Sequence, residues 1–447
     1  MRCLYPPALL IFSLALVVSA CGGDSAAPKS RSNPPSGGSK ENPSPAPAVS
    51  APSATISYHG NIRALLNKHC VVCHQAGGIG TFALDTYESA ARFATAMRDA
   101  TAARRMPPFL PSVNASCQTL REVRHLEDSE ITVFGQWVEQ GLAAGTPPAV
   151  APPASPAVPA LSPVDTVVRI AEPYLPVGSA EYPEDDYRCF VLDPGTATEK
   201  FLTAYEVRPG NPAMVHHMIA FSLNTAAVEQ AALAKDAADA APGYSCFGGS
   251  QLDFRDAPMI GGWAPGIPVT RFPAGTGIRL AAGRKMVLQV HYNLAAGQGT
   301  DQTAVALQFA SATVTEANIL PLAALDMVLP PGQTEVQVTA DTPPLLTSYE
   351  IHGVYPHMHT LATSARVEKR RAFGAGSECL LEIPRWDFDW QEFFFFQNSI
   401  AMNGAETTRL ACTYDTTTRT QAVTWGEGTQ DEMCLNFFYV TGLSKLF

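Results

Sequence analysis

Basic side chains are scarce in this chain: 30 Lys and Arg stand against 41 Asp and Glu, the net charge is −11, and only 16% of the 447 residues are charged. No segment gathers its few cations into a stripe, which excludes nucleic acid and anionic membrane surfaces as main partners and leaves small molecules and proteins. Long apolar runs are missing too. The run from Leu9 to Val18 falls short of the ~20 residues that a membrane-spanning helix needs. It lies behind Arg2 and ahead of small residues, the layout of a signal peptide.

The ending Val18-Ser19-Ala20-Cys21 resembles a bacterial lipobox. That resemblance implies removal of the segment 1–21 and lipidation of Cys21. The mature protein is then exported and lipid-anchored to a bacterial membrane, on its periplasmic or cell-surface face. Residues 22–54 are mostly Ser, Pro, Gly and Ala, with almost nothing to bury, and read as a disordered tether. A second Pro/Ala stretch at 145–164 reads as a stiff spacer.

On either side of that spacer the patterning differs. In 55–144, "SYHGNIRALLNKHC" carries Ile62, Leu65 and Leu66 at helical spacing, and "LEDSEITVFGQWVEQGL" carries Ile131, Phe134, Trp137 and Val138 behind acidic residues. From 165 onward, short runs of Val, Thr, Phe and Tyr are broken by Pro and Gly, as strands are. The expected fold is mainly β, with 165–310 and 311–447 as two sandwiches, preceded by a small all-α domain.

"CVVCH", Cys70 to His74, is the attachment pattern of a c-type haem: two cysteines form thioethers to the porphyrin and the adjacent histidine faces the iron. A zinc knuckle would want a second Cys/His pair, and a thioredoxin-like site a βαβ context. The segment resembles small class I cytochromes c over its whole length. That resemblance implies Met106 in "RRMPPF" as the second axial ligand, with Met97, in a helix-like run, as its rival. His/Met ligation suits electron transfer.

Further on, "MVHHMIAFSL" sets His216 and His217 side by side in a strand-like run, where neighbouring residues point to opposite faces. "VLQVHYN" offers His291, "YPHMHT" offers His357 and His359, and "GTQDEMC" offers Met433. Each alone reads as core or surface. As two sets, three imidazoles suit Cu, Zn, Ni or Fe, whereas two imidazoles with a thioether select copper, because soft sulfur favours Cu(I).

In this order "VHHM", "QVHY", the H-x-H pair and "DEMC" resemble the copper type II, ascorbate-dependent monooxygenases, as do "GGWAPG" (261–266), "LPPG" (329–332) and "CTYDT" (412–416). The similarity covers about 170–447. It implies two antiparallel jelly-roll sandwiches, each binding one copper, with a solvent-filled cleft between them. His216, His217 and His291 would hold an electron-transfer copper, and His357, His359 and Met433 the copper at which O2 is used to hydroxylate a C–H bond of a small organic substrate. It also implies disulfides Cys412–Cys434 and Cys189–Cys246, while Cys117 and Cys379 have no assigned partner.

Two departures stand out. Where the peptide-hydroxylating branch grips a substrate carboxylate with arginine, asparagine and tyrosine, this chain has Tyr355, Leu435 and Phe437. The altered cleft suits an apolar or aromatic substrate. The attached haem domain is the other departure, since it could replace or supplement ascorbate, or receive electrons from a redox partner protein. A non-catalytic copper-binding or electron-relay lipoprotein is the alternative reading.

Overall fold

The computed structural model describes residues 55–443, except 77–79, 113–115, 150–159, 268, 296, 346, 372–373 and 375. The expected signal segment, Cys21 and the tether lie outside these residues, as does the middle of the 145–164 spacer.

In the helical region Ser57 caps a first turn, Tyr58–Ile62, by accepting from the Gly60 N–H, and the chain continues as the helix Arg63–His69. The helix Asp128–Glu139 starts with Asp128 and Glu130, whose charges suit its N-terminus, and buries Phe134 and Trp137. These meet Ile62, Leu66, Val71, Leu84 and Met97 in one core. Burial of such side chains contributes roughly 1.5–3 kcal/mol each. Two further short helices, Tyr87–Arg92 and Ala94–Ala102, complete this region.

The β region is built on one nine-stranded sheet. Its path runs Thr166–Arg169, Ala304–Phe309, Lys200–Arg208, Thr276–Leu280, Thr315–Ala323, Leu435–Thr441, Tyr349–His357, Phe394–Met402, with Thr270–Arg271 paired to its side. A five-stranded sheet covers the first half of it, enclosing Phe190, Met218, Leu288 and Val290 with Leu202, Tyr205 and Val305. A four-stranded sheet covers the second half, enclosing Val367, Leu381 and Leu410 with Ile351 and Val354. Each half is therefore two packed layers. Between the two halves, Thr276–Leu280 pairs in parallel with Thr315–Ala323, so that one sheet is continuous through both. Buried Ile278, Ala317 and Ile319 carry the apolar face across that join.

Cys189–Cys246 and Cys412–Cys434 are bonded as the family resemblance implied. A third disulfide, Cys117–Cys379, spans 262 residues and fixes the helical region to the strand Ser377–Ile383. Around it the backbone is stitched to the β region: Ser112 N donates to Glu382 O at 2.7 Å, Arg121 N to Phe395 O at 2.8 Å, and Gln397 N to Thr119 O at 2.8 Å. The helical region thus rests on the second half of the β region by its own loop, not by the spacer alone.

Within the helical region, Glu130 joins two helices. Lys68 Nζ donates to it at 2.9 Å and His69 Nε2 lies 3.2 Å away. Burial pushes this carboxyl up, but those two partners and the Glu127 N–H outweigh it and hold the group at about 2. A carboxyl depressed in the folded state stabilises above its ordinary pKa and stops doing so as pH falls through its folded value. Glu130→Gln is expected to cost ~1 kcal/mol at pH 7, the modest size set by water screening of exposed Lys68. Paired thermal melts should show that deficit shrinking from pH 4.5 toward pH 2; a deficit independent of pH would rule out the charge as its source.

Candidate metal centre

The strand Val215–Ser222 pairs antiparallel with Met286–Asn293, and its register shifts between Val215 and His217: Val215 faces Tyr292, and His217 already faces His291. His216 is the extra residue of a β-bulge, which turns two sequence neighbours toward one side. Their Nδ1 atoms lie 3.2 Å apart, and His291 Nδ1 is 3.3 Å from His217 Nδ1. Behind them, His291 Nε2 donates to Asp185 Oδ1 at 2.8 Å, and Asp185 accepts from the Thr429 hydroxyl at 2.9 Å. A carboxylate can only accept, so the His291 proton sits on Nε2 and its Nδ1 lone pair faces the other rings.

Burial drives all three toward the neutral form. His216 is lowered to about 3, and His217 falls well below the ordinary range. His291 is lowered as well, Asp185 offsetting only part of the burial. Three neutral imidazoles with nitrogens this close and within 4.8 Å of one another are suited to a cation that relieves their mutual repulsion.

The second set lies on the other half. His357 ends the strand Tyr349–His357 and pairs with Leu435. Just past these strand ends, His359 and Met433 each donate a backbone N–H to Glu432, at 3.0 and 3.3 Å. His357 Nδ1 donates to Gln391 Oε1 at 2.7 Å, and His359 Nδ1 to the Asp431 carbonyl at 3.1 Å. Both rings thereby keep the Nε2 lone pair free, the reverse of the first set. Burial lowers them to about 3 and about 4. Met433 is buried; its carbonyl accepts from Tyr414 OH at 2.7 Å, and its neighbour Cys434 is bonded to Cys412.

Both sets open into one cavity of about 820 Å³, lined by His216, His217, His357 and Met433 together with Tyr355 and Phe437. The ring centroids of His217 and His357 are 6.0 Å apart. Phe388 stacks on His216 at 4.7 Å and meets His359 edge-on at 5.8 Å. The sets are near neighbours here, whereas the resemblance led us to expect an open cleft between them.

At the haem motif, Cys70 and Cys73 are the two cysteines outside disulfides among the described residues. His74 Nδ1 donates to the Phe82 carbonyl at 3.1 Å, which leaves Nε2 free, and burial pushes the Cys70 thiol up to about 12. Two unpaired thiols beside an oriented imidazole fit thioether and iron bonding. Met106 stands on the loop after Ala94–Ala102, 36% exposed, while Met97 is buried in the helical core.

Asp185, Phe388, Gln391 and Glu432 support these side chains and escaped the sequence reading. Only Glu432 carried a signal, lying inside the quoted "DEMC". It is fully buried and accepts from the N–H groups of Leu361 (2.6 Å), His359 (3.0 Å) and Met433 (3.3 Å). Burial raises its carboxyl to about 7 against those bonds. Glu432→Ala strands three backbone donors at roughly 1–3 kcal/mol each. A loss of at least about 3 kcal/mol is expected in urea unfolding, and a loss below about 1 kcal/mol would show that the turn at His359 does not depend on this carboxyl.

Comparison with known proteins bears on these sets. Residues 315–443 match the profile of the copper type II ascorbate-dependent monooxygenase, C-terminal domain. Dopamine beta-hydroxylase of Rattus norvegicus is 25% identical over 282 residues, covering 57% of this chain and 43% of that protein. The protein of the same name from Bos taurus is 25% identical over 271 residues, with the same coverage of 57% and 43%. The chain thus spans less than half the length of these curated relatives. Among solved structures, the major capsid protein P2 of bacteriophage PM2 overlays with a TM-score of 0.26 at 9% identity, covering 62% of this chain and 97% of that one, a likeness too slight to carry an argument. The sequence matches support one family, and the profile match covers the C-terminal β region, with His357, His359 and Met433 inside it.

Proposed function

We propose that this chain is a copper-dependent monooxygenase that inserts one atom of O2 into a C–H bond of a small organic substrate. One observation carries the reading: two sets of neutral, buried imidazoles meet at a single cavity, and Met433 lines that cavity with His357. His216, His217 and His291 would hold an electron-transfer copper through Nδ1, and His357 and His359 would hold the oxygen-using copper through Nε2 with the Met433 thioether. Copper at these sets supplies one-electron redox chemistry and O2 activation, and a haem on Cys70, Cys73 and His74, with Met106 as its other ligand, supplies a further one-electron store.

The chain's own residues do the rest. Asp185, Gln391 and the Asp431 carbonyl hold ring protons on the far nitrogens, so the near ones stay available. Tyr355, Leu435 and Phe437 make an apolar wall, favouring an apolar or aromatic substrate. Electrons come from ascorbate, from the haem region, or from a redox protein acting through it. Export and a lipid on Cys21 would place the protein at a bacterial membrane surface. The second reading, a copper and electron relay without hydroxylation, keeps the same ligands and drops the substrate.

Purified full chain is expected to contain two coppers and covalently bound haem, and to consume O2 with ascorbate while a substrate gains one oxygen atom by mass spectrometry. Met433→Ala should abolish O2 consumption and leave the first copper in place. Copper uptake without any hydroxylated product across a broad aromatic and aliphatic panel would favour the relay reading.

A further inference from the structure

Residues 384–393, between the strands Ser377–Ile383 and Phe394–Met402, touch three parts of the molecule. Outward, Glu392 is ion-paired with Arg124 of the helical region, and Arg385 donates to the Arg104 carbonyl at 3.0 Å. Inward, Phe388 stacks on His216 and Gln391 accepts from His357 at 2.7 Å. No motif marks this segment, and the function proposed above assigns it nothing beyond a wall and one acceptor.

The amide of Gln391 can sit only one way round. Its Nε2 donates to the Phe388 carbonyl at 2.8 Å, and a carbonyl offers no proton in return. The amide oxygen must then face His357, which fixes that ring's proton on Nδ1 and its lone pair on Nε2. Gln391 is 5% exposed, so water competes little for either bond. Next to it, the Glu392 carboxyl is pushed up by burial and pulled back by Arg124. Glu392 is half-buried and its pair with Arg124 ties the segment to the helical region, so loss of Arg124 frees the segment to shift and carry Gln391 with it.

We propose that Gln391 is the positioning residue of the His357, His359 and Met433 set, and that the helical region holds it in place through Arg124 and Glu392. The helical region then does more than supply redox chemistry: its docking completes a metal set on the other side of the segment. This inference rests on the reading that the set binds copper.

The test uses full-length protein and copper alone, with affinities read by competition against a chelator. The second set is read alone in a His216→Ala background, and the same variants are made in the otherwise unmodified chain, where the first copper serves as the internal check of folding. Gln391→Met is expected to weaken the second copper ~10–100-fold, the usual effect of removing a group that orients a metal-bound histidine, and to leave the first unchanged. Gln391→Glu, which keeps an oxygen facing His357, should recover most of that loss. Arg124→Met should weaken the same copper and spare the other. Unchanged affinity in Gln391→Met, or a Gln391→Glu variant as weak as Gln391→Met, overturns the positioning role. Unchanged affinity in Arg124→Met overturns the part of the proposal that runs through Arg124 and Glu392. Wild-type chain that takes up no copper overturns the copper reading itself, and the inference with it.

Discussion

Dehydration of histidine is the constraint around which the β region is arranged. An imidazole in water shares its charge states almost evenly near neutrality, but burial penalises the cation and leaves a neutral ring. Five such rings form the two sets, three of them lining one cavity, and all five are lowered with burial as the leading cause. A neutral ring has one lone pair and one N–H, so its use depends on where the N–H goes. Asp185, Gln391 and the Asp431 carbonyl each take one. The consequence is two sets with opposite faces: Nδ1 forward in the first, Nε2 forward in the second.

That arrangement requires particular backbone. An ordinary antiparallel register would send His216 and His217 to opposite faces of their sheet, and the shift before His217 removes the conflict by leaving His216 unpaired. In the second set there is no bulge at the histidines: His357 ends its strand and His359 lies just beyond it. What is needed there is a turn held tightly after the strand, and Glu432 supplies it by gathering three N–H groups. The Cys412–Cys434 bridge fixes the same place from the opposite layer.

The sequence showed much of this and concealed some of it for physical reasons. Periodicity separated helical from β segments because buried stripes follow 3.6- and 2-residue repeats, and paired histidines among apolar residues are conspicuous wherever they fall. Register does not show in composition, so the bulge at His216 was visible only as a puzzle. The parallel join of Ile278 with Ala317 depends on where the chain returns, which no local pattern encodes. Cys117 and Cys379 lie 262 residues apart in regions that the Pro/Ala spacer seemed to hold separate. Gln391 sits in an aromatic loop with no repeat around it, and only the fold brings its amide to His357.

Charge in the cavity wall narrows what can be bound. Tyr355, Leu435 and Phe437 all line it, beside Phe221, Trp390 and Trp425, and no Lys or Arg is among its lining residues. The acids that are present, Asp389 and Glu427, are both pushed upward by burial, Glu427 to about 7. A substrate carboxylate brought here would lose water, meet no Lys or Arg, and face two groups of its own sign or their neutral forms. Burying an unpaired carboxylate costs several kcal/mol even after relaxation, more than an aromatic contact of ~0.5–1.5 kcal/mol returns. Tyr355, Leu435 and Phe437, where the family resemblance implied a carboxylate grip, thus stand in a wall without a cationic side chain, which is the ground for proposing an apolar or aromatic substrate.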